Sequence, residues 1–285
     1  MTEMRPALNV VLNPCRACPR KCGVNRLAGE RGFCKGGAQA EVASVGAHFG
    51  EESVLVGRGG SGTIFFQGCS LGCVFCQNYN ISQEPGGQPV STRELASMML
   101  GLQKRGCSNV NLVTPTHYAP QILQALELAH QLGLGLPVVY NCGGYESVRM
   151  LEMLEGQADV YMPDFKYGSD QAGRKFSAVP DYPRVAEATL KEMYRQVGAL
   201  QFDARGLALR GVLVRHLVLP QNLADSEIVV RTVAQAAPKA GMNVMAQYRP
   251  THRAFQLPEL LDVPRPAEVE RLRLLAEELE LVRVD

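Results

Sequence analysis

The sequence has almost no net charge and no dense run of one sign. It carries 29 Lys and Arg against 28 Asp and Glu among 285 residues, so its formal charge is +1. Nucleic-acid-binding proteins neutralise phosphates with clustered basic side chains, and we therefore expect no dedicated nucleic-acid surface. Hydrophobic residues make up 46% of the chain, a content that excludes an intrinsically disordered protein.

Long apolar runs are also lacking. The most apolar stretch, residues 122–139, is broken by polar side chains and a proline and is shorter than the roughly 20 apolar residues that span a bilayer. Residues 1–6 are not followed by the apolar segment of a secretory signal. We therefore predict a cytoplasmic protein without a membrane segment.

Cysteine, by contrast, is abundant. In the reducing cytoplasm, nine cysteines favour metal ligands or catalytic groups over disulfides. Seven of the nine form two groups, Cys15, Cys18, Cys22 and Cys34, then Cys69, Cys73 and Cys76. Cys107 and Cys142 stand apart and are predicted to be small buried residues.

Beyond residue 60, short apolar runs alternate with helical patterns. Strands are predicted at residues 62–67, 110–114, 137–140, 159–165, 212–219 and 242–246. Helices are predicted at residues 92–104, 120–131, 146–154, 184–197, 226–236 and 267–279. About six strand-helix units are too few for a full eight-unit barrel, so we predict an α/β fold with a partial parallel barrel over residues 61–285. Residues 1–60 are predicted to be a loop-rich, cysteine-rich N-terminal extension that holds a metal.

Cys69, Cys73 and Cys76 lie directly after the first predicted strand. A closed zinc site or an electron-carrying cluster usually has four protein ligands, so an iron–sulphur cluster held by three cysteines leaves one iron open. An open iron indicates catalysis. The alternative is a structural zinc loop with a fourth ligand elsewhere.

The spacing of this triplet, CxxxCx(aromatic)C with Phe75 as the aromatic residue, resembles the radical S-adenosylmethionine (radical SAM) superfamily. The resemblance implies a 4Fe–4S cluster on the three cysteines, S-adenosylmethionine on the open iron, and a partial parallel (β/α)6 barrel. Residues 62–82, 164–166 and 214–220 further resemble pyruvate formate-lyase activating enzymes, including a branch with an N-terminal cysteine segment.

Three charged residues follow or interrupt the later strands. Asp164 and Lys166 point to the same face, and Arg215 interrupts an apolar strand, where it needs an anionic partner. The resemblance implies that Lys166 meets the carboxylate of S-adenosylmethionine, that Asp164 supports the polar site, and that Arg215 lies near the cofactor. A salt bridge that closes the barrel mouth is the alternative.

Polar residues also follow the second and third strands. Asn141 stands where the activating enzymes have an Asp, in a turn that is either a cofactor contact or a simple tight turn. Thr114 and His117 stand where the family has a Gly-Gly-Glu motif, so we predict that they supply replacement hydrogen bonds to the cofactor. An ordinary loop capped by Thr116 is equally compatible with these residues.

The N-terminal group, Cys15, Cys18, Cys22 and Cys34, offers enough thiols for a closed site. We predict zinc, with a second iron–sulphur cluster or vacant redox thiols as alternatives. Residues 48–52 could reach over the active site, and Tyr248 or His252 could lie near the substrate, without an assigned role. His216 is predicted to be a packing histidine.

Together these features predict reductive cleavage of S-adenosylmethionine to methionine and a 5′-deoxyadenosyl radical that abstracts hydrogen. The resemblance implies an electron donor of the flavodoxin or ferredoxin type and activation of a glycyl radical enzyme. Modification of a small molecule or another macromolecule is one alternative. A non-catalytic iron–sulphur or zinc protein is another.

Overall fold

Strands and helices alternate along most of the chain. The structure is a computed structural model that describes residues 6–284. Its strands are β1 (Ala40–His48), β2 (Ser61–Phe66), β3 (Gln88–Val90), β4 (Val110–Val113), β5 (Val138–Cys142), β6 (Val160–Pro163), β7 (Gln201–Phe202), β8 (Ala208–Leu217), β9 (Gly241–Met245) and β10 (Val282–Arg283). Its α-helices are α1 (Pro6–Leu12), α2 (Ser53–Val56), α3 (Tyr79–Ser82), α4 (Thr92–Lys104), α5 (Ala119–Gln131), α6 (Val148–Met153), α7 (Asp170–Ser177), α8 (Tyr182–Val197), α9 (Ser226–Ala236) and α10 (Pro266–Glu278).

The sheet is mostly parallel and not closed. Six strands, β2, β4, β5, β6, β8 and β9, lie side by side in that order and pair in parallel. Within the described residues β10 forms one edge, while the antiparallel strands β1 and β3 form the other. The predicted α/β fold with a partial parallel (β/α)6 barrel is confirmed.

Local sequence explains these elements. All residues of β4 and β6 are buried, because strands of a parallel sheet are covered on both faces. Helix α4 begins at a capping box, in which the Ser91 hydroxyl accepts from the Glu94 N–H at 3.2 Å and the Glu94 carboxylate accepts from the Ser91 N–H at 2.7 Å. No α-helix within residues 6–284 is long and apolar enough to cross a bilayer.

The segment before residue 60 contributes to this sheet. Strand β1, which lies in the predicted extension, pairs antiparallel with β2 from His48 to Val42. Helix α2 contributes its buried Leu55 to a core cluster that includes Val139 and Val160. The division of the chain at residue 60 stays a prediction.

Candidate active site

A pocket lies at the carboxyl ends of five neighbouring parallel strands, where ligands bind in sheets of this kind. Its lining residues come from the ends of β2, β4, β5, β6 and β8 and from the loop after β2. They include all members of the cysteine triplet and most of the predicted cofactor residues: Cys69, Cys73, Cys76, Thr114, Asn141, Asp164, Lys166 and Arg215. The fold therefore brings together residues that are as far apart in sequence as Cys69 and Arg215.

Aromatic packing holds the triplet loop against the barrel. The ring of Phe75 lies edge-on to Tyr167, Phe176 and Tyr248, with centroid distances of 6.3, 6.3 and 6.0 Å. The backbone N–H of Val74 donates to the carbonyl of Phe176 at 2.9 Å. The aromatic residue of the motif thus packs the triplet loop against these three rings.

Each triplet sulphur has a polar neighbour. The Leu71 N–H donates to Cys69 Sγ at 3.3 Å, the Ser177 hydroxyl donates to Cys73 Sγ at 3.0 Å, and Ser82 Oγ lies 3.2 Å from Cys76 Sγ. Hydrogen bonds to cysteine sulphurs tune the reduction potential of an iron–sulphur centre. Burial and the neighbouring Cys73 raise the pKa of Cys69 to about 12, so metal binding at this thiol must displace a proton.

The three thiols of the triplet line one pocket. Within residues 6–284, no three His, Cys, Asp or Glu side chains are arranged to hold one metal ion. In a 4Fe–4S cluster each thiolate would bind a different iron, so ligands that share a pocket without converging on one point are compatible with a cluster.

Asp164 is the centre of a charged network beside the triplet. Its Oδ2 accepts a hydrogen bond from Lys166 Nζ at 2.6 Å, and its Oδ1 accepts one from Arg215 Nε at 3.0 Å. Burial opposes the charge of Asp164, but the two adjacent cations hold its pKa below the ordinary value. Burial likewise opposes the charge of Lys166, yet Asp164 raises the pKa of that ammonium. All three groups therefore stay ionised at neutral pH.

Asn141 and Thr114 join this network at the pocket wall. The Asn141 side-chain oxygen accepts from Arg215 Nη2 at 2.8 Å, and its backbone carbonyl accepts from the Thr114 N–H at 2.9 Å. Gly144 has a φ of +74°, and a Cβ there would overlap the Asp164 carbonyl. This glycine allows close packing of two strand ends.

Two acidic residues that had no assigned role also contact Arg215. Glu51 and Glu52 place carboxylate oxygens 3.8 and 3.9 Å from Arg215 Nη1, and Glu52 also accepts from Asn243 Nδ2 at 3.1 Å. They precede α2, whose Leu55 carbonyl is bonded by Asn109 just before β4. The segment formed by Glu51, Glu52 and α2 therefore approaches Arg215 from the amino ends of the strands.

His117 is not among the residues that line this pocket. Its Nε2–H donates to the Gln67 carbonyl at 2.8 Å, and its ring lines a second pocket formed by the N-terminal cysteines. Burial lowers the pKa of His117 to about 3, so the ring is neutral. The structure thus separates His117 from the other predicted cofactor residues.

The loop between Thr114 and His117 is held by a residue that the sequence did not single out. The Thr116 hydroxyl donates to the Glu146 carboxyl at 2.6 Å, and the Tyr140 hydroxyl lies 3.2 Å from its other oxygen. Burial raises the pKa of Glu146 to about 7. The sequence feature that could have indicated Glu146 is the Gly-Gly-x-Glu stretch at residues 143–146.

The remaining histidines and Tyr248 lie outside the pocket lining. His216 Nδ1–H donates to the Phe165 carbonyl at 2.6 Å, and its Nε2 lies 2.9 Å from Ser226 Oγ. The Tyr248 hydroxyl donates to the Leu260 carbonyl at 2.7 Å. His252 stacks on Tyr79 with centroids 4.7 Å apart, next to the triplet loop.

Comparison with known proteins identifies the class to which this partial barrel with its cysteine triplet belongs. Residues 63–198 match the Radical SAM superfamily. The chain is also 34% identical over 286 residues to the uncharacterized protein MJ0674 of Methanocaldococcus jannaschii, across 96% of this chain and 77% of that relative. The chain belongs to the radical SAM superfamily, which implies a 4Fe–4S cluster, S-adenosylmethionine and radical chemistry.

The fold is also similar to that of a solved enzyme. Methylornithine synthase (PylB) superposes with a TM-score of 0.52 at 13% identity, over 78% of this chain and 63% of that chain. The present chain therefore spans less than two thirds of the length of that enzyme. The similarity supports the partial-barrel architecture.

Proposed function

We propose that this protein cleaves S-adenosylmethionine reductively at the pocket described above, with a 4Fe–4S cluster held by Cys69, Cys73 and Cys76. The observation that carries the proposal is the position of all three thiols beside the Asp164–Lys166–Arg215 network. When bound, the cluster and cofactor supply one-electron cleavage of a carbon–sulphur bond, which yields methionine and a 5′-deoxyadenosyl radical.

The charged network binds and orients the amino-acid part of the cofactor. Lys166 presents its ammonium to the cofactor carboxylate, while Asp164 fixes the direction of that ammonium through the 2.6 Å contact. Arg215 holds Asp164 and Asn141 at once, so it positions both pocket walls. Because the network is already formed, less ordering is needed when the cofactor binds.

Apolar side chains form the rest of the wall. They are Phe65, Phe66, Leu71, Phe75, Ile81, Val113 and Leu217. Such a wall excludes water from the reacting carbon and strengthens the electrostatic contacts within the pocket.

The substrate that we propose is a glycine of a partner protein, which makes the chain an activase of a glycyl radical enzyme. The support is the resemblance of residues 164–166 and 214–220 to the activating enzymes. Within the described residues the sheet is not closed, which leaves a side of the barrel where an extended segment could approach. We place the protein in the reducing cytoplasm with a flavodoxin or ferredoxin as electron donor, in keeping with nine unpaired cysteines.

The cleavage is tested by anaerobic reconstitution with iron and sulphide, followed by dithionite and S-adenosylmethionine. The expected product is 5′-deoxyadenosine, which Cys73→Ala should abolish. Cys107→Ala is the matched control, because Cys107 is buried in the core beneath α4. Full product formation by Cys73→Ala would contradict the assignment.

The substrate is tested separately by electron paramagnetic resonance after addition of a glycyl radical protein from the same genome. Activation predicts a glycine-centred radical on that partner. Cofactor cleavage without any radical on such a partner would instead favour a small-molecule substrate.

A further inference from the structure

The four N-terminal cysteines meet in a second pocket. Cys15, Cys18, Cys22 and Cys34 line it together, and none of them forms a disulfide. Three of these residues are buried, while Cys22 is exposed. We call these four residues the thiol quartet.

A buried cation beside the quartet has no carboxylate partner among the described residues. Arg26 is only 1% exposed and also lines this pocket. Its guanidinium donates to the carbonyls of Gly37 and His117, and it forms no ion pair with any residue in 6–284. A fully buried charge is costly unless a nearby charge of opposite sign compensates it.

An unpartnered nitrogen lies at the same pocket. Because His117 Nε2–H donates to the Gln67 carbonyl, the ring's Nδ1 carries the lone pair. This buried Nδ1 has no hydrogen-bond partner among the described residues. A centre closed by four thiolates offers no donor to this lone pair, so the case for a metal rests on the four thiols and on Arg26.

We infer that the thiol quartet binds a thiophilic metal centre, closed by four cysteine thiolates. Zinc and a 4Fe–4S cluster share this chemistry, and either gives an anionic centre that compensates Arg26. Within residues 6–284 no three thiols are placed to hold one metal ion. A closed centre therefore requires the exposed Cys22 to approach the other three thiols.

The quartet segment is joined to the triplet loop by one side chain. The Arg20 guanidinium donates to the carbonyls of Ser70 and Leu71 in that loop and to those of Ser177 and Ala178 at the end of α7. Phe33 stacks on the guanidinium, whose carbon lies 3.4 Å from the ring centroid.

A backbone contact joins the same two regions. Gly68, next to Cys69, has a φ of +85°, and a Cβ there would overlap the Cys34 carbonyl. The metal centre thus fixes the segment that carries Arg20, and Arg20 is a positioning residue for the triplet loop. This second role rests on the proposed function, whereas metal binding by the quartet does not.

Metal content tests the site in the full-length chain. A Cys69→Ala/Cys73→Ala/Cys76→Ala variant, purified anaerobically, should retain either about one zinc or about four irons with matching sulphide per chain. The additional change Cys18→Ser should remove that metal, whereas Cys107→Ala should leave it. Absence of both metals from the triple variant, with all quartet thiols open to alkylation, would overturn the inference.

A second measurement remains decisive if those variants fail to fold. The unmodified protein should contain either zinc or iron beyond that of one 4Fe–4S cluster. Wild-type protein with iron and sulphide for one cluster only, and no zinc, would also refute the metal site. Failure of the proposed function would appear separately, as no 5′-deoxyadenosine from a protein with an intact metal content.

The positioning role is tested by Arg20→Gln, with the exposed Arg16→Gln as control. Arg20→Gln should retain the quartet metal but lose triplet iron to a chelator about 10-fold faster. Substitutions of residues around metal ligands commonly lower metal affinity by about that factor. The electron paramagnetic resonance spectrum of the reduced triplet cluster should change as well. An unchanged rate and an unchanged spectrum would refute the role of Arg20.

Discussion

Replacing Lys166 by methionine removes the proposed partner of the cofactor carboxylate and little else. Lys166 Nζ lies 2.6 Å from Asp164, and the two side chains are 19% and 18% exposed. Asp164 keeps its 3.0 Å contact with Arg215 in the variant, so no carboxylate is left without a cation. A hydrogen bond to a charged group contributes about 1.5–3 kcal/mol. S-adenosylmethionine should therefore bind roughly 10- to 150-fold more weakly.

Equilibrium dialysis of the reconstituted protein with labelled S-adenosylmethionine measures this effect. Lys191→Met is the matched control, since Lys191 forms a 2.6 Å pair with Glu187 on the surface. The control should bind the cofactor as the wild type does, and both variants should assemble the cluster. Wild-type affinity in Lys166→Met would refute the role of this ammonium.

Two further predictions concern buried groups near the site. The folded-state pKa of Glu146 is about 7 against an ordinary 4.5, so ionisation of Glu146 should remove about 3 kcal/mol of unfolding free energy as pH rises from 4.5 to above 7. Because the buried neutral His117 and His216 contribute in the opposite direction, the quantity to measure is the difference in unfolding free energy between the wild type and Glu146→Gln in urea titrations. That difference should change by about 3 kcal/mol over this pH range, and a constant difference would contradict the assignment. Gly144→Ala should cost about 2–5 kcal/mol, because Cβ meets the Asp164 carbonyl at positive φ. Gly156→Ala, with φ +79° and open space, should cost about 1–2 kcal/mol, and equal losses would exclude the overlap.

The alternating elements of the barrel could be predicted from periodicity. Helix α4 occupies the predicted residues 92–104, and its capping box is visible in the sequence. The six parallel strands lie close to the predicted runs because each must bury apolar side chains on both faces. The spacing of the cysteine triplet predicts a shared metal centre because its three thiols lie within eight residues of one loop. That loop follows a parallel strand, and loops at this end of such strands carry the ligand site.

Contacts between distant segments could not be predicted in this way. Arg20 bonds the Ser177 carbonyl across 157 positions, and no periodic pattern indicates such a pair. Strand β1 pairs antiparallel at the edge, within a segment that was predicted to be loop-rich. His117 lies close in sequence to Thr114, but the turn over residues 116–118 directs its ring toward Gln67.

The most direct test of the central claim is the electron paramagnetic resonance spectrum of the reduced protein before and after S-adenosylmethionine is added. The wild type should show the signal of a reduced 4Fe–4S cluster whose g-values shift with the cofactor, because one iron lacks a protein ligand. Cys73→Ala should lose that signal. A spectrum that is indifferent to S-adenosylmethionine, or a triplet loop that holds zinc, would contradict the account.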